Sequence, residues 1–110
     1  MRKKTCVVTG SSKGIGRGIA ERFGEDGCDV VVNYRGSAGT AEETVEAIEA
    51  AGGAAIAVQA DVTDLEQVRR MRDEAHDAFG RVDVLVNNAG INQDVLFNEM
   101  SHEEWDVVLD

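Results

Sequence analysis

Short valine-rich runs alternate with amphipathic segments along the whole of this sequence. The four strongest apolar runs are residues 5–9, 29–33, 54–59 and 82–87. Continuous apolar runs of this length are typical of strands in a parallel sheet, because such strands are buried on both faces. Between the runs, apolar residues recur every three or four positions, which indicates helices with one buried face. This alternation of two periods restricts the chain to the α/β class.

Signals for the ends of helices occur where the helical spacing of apolar residues begins and stops. A Ser or Thr followed three residues later by Glu predicts a capping box at Thr40, Thr63 and Ser101. Glycines close the first three helices, at Gly24 or Gly27, at 52–53 and at 80. Right-handed crossovers then predict a Rossmann-type doubly wound parallel sheet with strand order 3-2-1-4, in one domain over residues 1–110. We expect the chain to be truncated in its fourth helix, which begins at Ser101.

The composition excludes several classes of protein. A hydrophobic fraction of 43% indicates a folded domain, and no apolar run approaches the roughly 20 residues of a membrane helix. The net charge of -10 disfavours nucleic acid and anionic membranes as partners. The basic N-terminus lacks the apolar core of a signal peptide, so we predict a cytoplasmic protein. Cys6 and Cys28 have no metal-ligand spacing and are predicted to be reduced, buried thiols.

A glycine-rich stretch separates the first strand from the first helix. Gly10, Gly14 and Gly16 have the spacing G-x-x-x-G-x-G, which differs from the commoner dinucleotide fingerprint G-x-G-x-x-G. The following helix begins near Ile15, so its unpaired N–H groups and the positive end of its dipole favour an anion here. By spacing alone, a glycine-rich turn with close helix–strand packing is an equal alternative.

Three motifs at successive strand ends resemble the short-chain dehydrogenase/reductase family. They are "TGSSKGIG" at residues 9–16, "DVTD" at 61–64 and "NNAG" at 87–90. The segment "VDVLVNNAGINQDVLFNEMSHEEWDVVLD" is also similar to the β-ketoacyl-acyl-carrier-protein reductases and the acetoacetyl-CoA reductases. The resemblance implies a nicotinamide dinucleotide cofactor, a small-molecule substrate and a homo-oligomer. It further implies reduction of a 3-oxoacyl thioester of acyl-carrier protein or coenzyme A.

The candidate cofactor-binding residues lie at the ends of the four predicted strands. They are Gly10, Ser11, Ser12, Lys13, Gly14, Ile15 and Gly16 after the first, Asn33, Tyr34 and Arg35 after the second, Asp61 and Val62 after the third, and Asn88, Ala89 and Gly90 after the fourth. We expect Ser11 and Ser12 to offer hydroxyls to phosphate or ribose. The resemblance implies that Asp61 accepts from the adenine amino group and that Asn88 braces strand four. A purely structural role for Asp61 at the start of a helix is the alternative.

The end of the second strand favours NADP over NAD. A site for NAD usually has an acid there that binds the ribose 2′-hydroxyl. This chain has Asn33, Tyr34 and Arg35 instead, and both Lys13 and Arg35 are cations that suit a 2′-phosphate. The alternative for Arg35 is a solvated loop cation.

No catalytic or metal-binding residue is assigned. Carbonyl reduction by hydride needs a proton donor, and the Tyr-x-x-x-Lys pair of the family has no counterpart here, since Tyr34 is the single tyrosine. His76 and His102 lack ligand partners and are predicted to be surface residues. We expect these 110 residues to be inactive alone, and strand four to be an exposed apolar edge that promotes self-association. Alternatives are a non-catalytic dinucleotide-binding module, a half-fold that acts only as an oligomer, and a sugar or polyol dehydrogenase of the same family.

Overall fold

The chain forms one parallel sheet with helices on both faces. The computed structural model describes residues 3–11, 14–88 and 106–109. Its elements are β1 (Thr5–Val8), α1 (Gly14–Glu25), β2 (Asp29–Tyr34), α2 (Ala38–Ala50), β3 (Ala54–Gln59), α3 (Leu65–Phe79), β4 (Val84–Asn87) and β5 (Asp106–Leu109). The strands are all parallel and lie in the order β3-β2-β1-β4-β5. The predicted Rossmann-type order 3-2-1-4 is confirmed.

The prediction of a helix that continues to residue 110 is wrong for Asp106–Leu109. This segment is a strand whose residues pair in parallel with β4, with Leu85 opposite Val107 and Val86 opposite Val108. The edge of β4 offers a row of unpaired N–H and C=O groups, and β-branched valines favour the extended chain that pairs with them. β4 is therefore not the exposed edge that the sequence predicts. The capping box at Ser101 lies outside the described residues.

The core consists of two apolar layers, one on each face of the sheet. Alternate residues of β1 and β2 belong to opposite layers, since successive side chains of a strand point to opposite faces of the sheet. Cys6, Val8, Val30 and Val32 pack with α1 and α2, whereas Val7 and Val31 pack with α3. Burial raises the pKa of the Cys6 thiol, and both cysteines are free. No helix within the described part of the chain is long and apolar enough to cross a membrane.

Two of the predicted helix caps are corrected by one to three residues. α2 begins after Ser37 rather than Thr40, whose hydroxyl donates to the Ser37 carbonyl at 3.0 Å. α3 is capped by Asp64 rather than Thr63, and the Asp64 carboxylate accepts from the backbone of Glu66 and Gln67. Asp64 thus satisfies unpaired N–H groups of the first turn of α3, whereas the Ser37 side chain makes no capping hydrogen bond. The helices end before Gly27, Gly52 and Gly80, all with positive φ, as predicted.

Helices α1 and α2 approach closely at Gly24. A Cβ atom at this position would lie 2.6 Å from Cγ2 of Ile48, a fully buried residue of α2. Gly18 lies on the solvent side of the same helix, and a Cβ atom there would meet nothing within 4 Å.

The contrast between these two glycines gives a stability test. Gly24→Ala should lower the free energy of unfolding by about 1–3 kcal/mol, because the methyl group overfills the contact with Ile48. Gly18→Ala, the matched control, should raise it by up to about 1 kcal/mol through helix propensity. Chemical denaturation monitored by circular dichroism measures both, and equal midpoints for the two variants would contradict this packing.

Candidate functional site

The glycine loop lies at the carboxyl edge of the sheet, between the end of β1 and the start of α1. β1 is flanked by β2 on one side and β4 on the other, with α1 and α2 on one face of the sheet and α3, which leads into β4, on the other. This is the point at which the strand order reverses, where doubly wound sheets open a crevice for ligands. Gly10 and Gly14 have φ values of 61° and 65°, a left-handed conformation that other residues rarely adopt.

The Asn33 side chain holds the loop in place. Its Oδ1 accepts from the Gly10 N–H at 2.9 Å. Its Nδ2 donates to the carbonyls of Val58 at 3.3 Å and Ala60 at 3.2 Å. Asn33 is only 2% exposed. The sequence predicted Asn33 as a cofactor contact, but the structure gives it a structural position, because its hydrogen-bonding groups face the protein.

Ser11 also faces inward. Its hydroxyl donates to the Val8 carbonyl at 2.6 Å and accepts from the Asn33 N–H at 3.0 Å. A backbone bond from the Ser11 N–H to the Asn33 carbonyl, at 2.9 Å, completes the connection. Since Ser11 is fully buried, the expectation that its hydroxyl faces a phosphate or ribose is corrected. Its contribution is to fix the path of the loop.

The other side of the loop is tied to β4 through Thr9 and Asn88. The Thr9 hydroxyl accepts from the Asn88 N–H at 2.9 Å, and Thr9 itself donates to the Val86 carbonyl from its N–H at 3.1 Å. The Asn88 side-chain Nδ2 donates to the Gly10 carbonyl at 3.3 Å. Asn88 therefore connects the end of β4 to the loop after β1, and its contact with a cofactor stays a prediction. Thr9 was missed among the site candidates, although a Thr directly before the first glycine is a visible signal.

Gly16 brings α1 into contact with this network. A Cβ atom at Gly16 would lie 2.4 Å from the Gly10 carbonyl oxygen and 2.6 Å from Nδ2 of Asn88. By contrast, the Cβ position of Gly14 is open, and Ile15 is 72% exposed. The first turn of α1 carries no carboxylate. Beside the exposed Ile15 lies backbone at the positive end of the helix, which fits a pyrophosphate.

A second polar group lies at the ends of β2 and β3. Nη2 of Arg35 is 3.3 Å from Oδ2 of Asp61. Oδ1 of Asp61 accepts from both the hydroxyl of Thr63 at 2.7 Å and its N–H at 3.0 Å. These bonds from Thr63, helped by the nearby Arg35 charge, hold the pKa of the Asp61 carboxyl below its ordinary value. The carboxylate is therefore ionised at neutral pH.

Through Thr63, the Asp61 carboxylate stabilises the turn that leads into α3. This is the structural role that the sequence analysis gives as the alternative to adenine binding. The Asp61 N–H also donates to Oε1 of Gln67 at 2.8 Å. Oδ2 of Asp61 faces Arg35, whose side chain is 79% exposed. Contact of Asp61 with an adenine stays a prediction.

The remaining candidates divide into buried and undescribed residues. Tyr34 packs partly buried against the apolar layer of α1 and α2, and Val62 belongs to the layer of α3. Ser12, Lys13, Ala89, Gly90 and His102 lie outside the described residues. His76 is half-buried on α3. Among residues 3–11, 14–88 and 106–109, no three His, Cys, Asp or Glu side chains are grouped so as to hold a metal ion.

Comparison with known proteins gives the class to which this fold and loop belong. The sequence model of a family described as short chain dehydrogenase matches residues 4–110. A dehydrogenase/reductase from Sinorhizobium meliloti 1021 superposes with a TM-score of 0.89 at 31% identity, over 99% of this chain and 54% of that one. A short chain dehydrogenase from Burkholderia cenocepacia J2315, in complex with NADP, superposes with a TM-score of 0.76 at 51% identity, over 80% of this chain and 36% of that one.

Curated relatives carry several substrate names. The chain is 54% identical over its whole length to 3beta-hydroxysteroid dehydrogenase 1 of Eggerthella lenta. Over 97% of its length it is 50% identical to the 3-oxoacyl-acyl-carrier-protein reductase of Staphylococcus aureus and 49% identical to glucose 1-dehydrogenase 2 of Bacillus subtilis. It spans only 42% to 44% of the length of these relatives. The chain belongs to the short-chain dehydrogenase/reductase family.

The position of Asn33 predicts the effect of a near-isosteric change. Asn33→Asp keeps an acceptor for Gly10 but loses the N–H donors to Val58 and Ala60, so carbonyl and carboxylate oxygens face one another. We expect the free energy of unfolding to fall by about 1–3 kcal/mol at neutral pH. The loss should shrink in acid, where a protonated carboxyl donates one bond. Urea unfolding across pH measures this, and a loss independent of pH would contradict the assignment.

Proposed function

We propose that this chain is the cofactor-binding part of an NADP-dependent reductase that acts on 3-oxoacyl thioesters. The observation that carries the cofactor choice is Arg35, which projects from the end of β2 with an exposed guanidinium next to the end of β3. No carboxylate belongs to the last residues of β2, where an NAD site usually holds its acid. The NADP complex of a 51% identical relative supports the same choice.

Each part of the site has a task in this proposal. The N–H groups of the first turn of α1 bind the pyrophosphate, Gly10 and Gly14 let the loop approach it closely, and Ile15 covers the neighbouring apolar part of the cofactor. Arg35 pairs with the 2′-phosphate through charge-assisted hydrogen bonds. Bound NADPH supplies the hydride. The loop backbone is held in the binding conformation by hydrogen bonds on its buried side, made by Asn33, Ser11, Thr9 and Asn88.

The proton donor for the reduction is not among these residues. Tyr34, the single tyrosine, is a half-buried residue of β2 and has no Lys four positions later. We propose that the 110 residues bind cofactor without catalysing the reaction alone, and that the active form is a cytoplasmic homo-oligomer. A thioester of acyl-carrier protein or coenzyme A is the proposed substrate.

A sugar dehydrogenase is the second candidate, since glucose 1-dehydrogenase 2 of Bacillus subtilis is 49% identical. The full-length protein discriminates between the two. NADPH-dependent reduction of acetoacetyl-CoA is expected, whereas NADP-dependent oxidation of glucose without acetoacetyl-CoA reduction would favour the second candidate. A full-length protein that binds the cofactor and catalyses neither reaction would favour the non-catalytic module.

The cofactor assignment is tested by Arg35→Gln in the full-length protein. NADPH should bind more tightly than NADH, and the substitution should weaken NADPH binding roughly tenfold or more while leaving NADH binding within about twofold. Arg22→Gln is the matched control, since Arg22 has a similarly exposed guanidinium on α1, paired with Asp26. Cofactor fluorescence titrations give the constants. Unchanged NADPH affinity in Arg35→Gln would contradict the assignment.

A further inference from the structure

The ion pair between Arg35 and Asp61 joins one anchored partner to one loosely held partner. Asp61 is 25% exposed, and its carboxylate and backbone are fixed by Thr63 and Gln67. The Arg35 side chain is 79% exposed. Its anchored part is the backbone, where its carbonyl accepts from Nε2 of Gln59 at 3.2 Å. The guanidinium can therefore exchange partners, whereas the carboxylate stays in place.

The fixed carboxylate opposes an incoming phosphate in two ways. A phosphate that pairs with Arg35 must share or displace the contact with Oδ2 of Asp61. It also brings a charge of nearly two units close to a carboxylate that Thr63 keeps ionised. The surface ion pair itself is weak, as solvent screens it, so the phosphate can win the competition at a reduced affinity.

We propose that Asp61 is a specificity-determining residue that limits the preference of this site for a 2′-phosphate over a 2′-hydroxyl. This inference rests on the proposed function, in which Arg35 binds the 2′-phosphate of NADP. The preference is then set by both members of the pair: Arg35 provides it and Asp61 restrains it. A neutral side chain at position 61 releases the guanidinium and removes the repulsion.

The probes are adenosine 2′,5′-bisphosphate and adenosine 5′-monophosphate, which differ only in the 2′-phosphate. The preference is the ratio of their dissociation constants, so that any change in contact with the adenine cancels. Calorimetric titration of the full-length protein gives both constants. Asp61→Asn keeps a carbonyl oxygen for Thr63. Asp61→Ser, which also favours this turn, is a second variant that tests the proposal if Asp61→Asn does not fold.

Both variants should raise the preference for the bisphosphate roughly three- to tenfold, and the gain should shrink as added salt screens the charges. Asp73→Asn is the matched control, because Asp73 lies 3.3 Å from Nη2 of Arg72 on α3, the same distance as in the Arg35–Asp61 pair. It removes one charge from the chain and should leave the preference within about twofold, since solvent and salt screen an exposed charge that does not pair with Arg35.

The outcomes separate this inference from the proposed function. An unchanged preference in folded Asp61 variants would overturn the inference, and so would a lowered one, which would mean that Asp61 positions Arg35 for the phosphate. In either case Arg35→Gln would still abolish the preference if the proposed function holds. If Arg35→Gln leaves the preference intact, the proposed function fails instead, and the inference fails with it.

Discussion

The Asn33 side chain connects the three strands β1, β2 and β3 at the edge where the candidate site lies. Its amide accepts from the loop after β1 and donates to the end of β3, while its own backbone belongs to β2. The Gly10 N–H pairs with this amide and the Gly10 carbonyl pairs with Asn88, so both give the loop a fixed support from behind. A buried amide can provide that support only when its donors and acceptor are all paired, as they are here. The conformation of the loop therefore depends on a contact that is buried behind it.

The close approach of α1 is the second constraint, and it follows from the first. Once the loop is fixed, the helix can start beside it only if Gly16 has no side chain, because a Cβ atom would overlap the Gly10 carbonyl. The helix then directs its first N–H groups toward the space above the loop. The positive φ values of Gly10 and Gly14 complete a surface made of backbone. Such a surface suits the oxygens of a phosphate group, which need donors and close approach.

The sequence predicted the sheet order, which is confirmed, and a site at the glycine loop, which stays a prediction, because both follow from local patterns. Valine-rich runs, helical periods and glycines at helix ends are visible without tertiary structure. The inward orientation of Ser11 and Asn33 was missed, since it depends on the carbonyls of Val8, Val58 and Ala60 that only the fold brings near. The helix predicted to continue to residue 110 was wrong at Asp106–Leu109, where pairing with β4 outweighs the local capping pattern. The Arg35–Asp61 pair joins residues of two strand ends and could not be read from spacing.

We propose above all that the backbone around the glycine loop binds the dinucleotide. Amide spectra of the isotope-labelled protein, recorded with and without NADPH, test it most directly. On binding, the amide signals of Gly10, Gly14 and Gly16 should shift, together with those of Arg35 and Asp61. NADH should shift the glycine signals and affect Arg35 less. Binding that shifts residues at the opposite edge of the sheet, such as Gly80 and Arg81, and leaves the glycines unchanged would contradict the account.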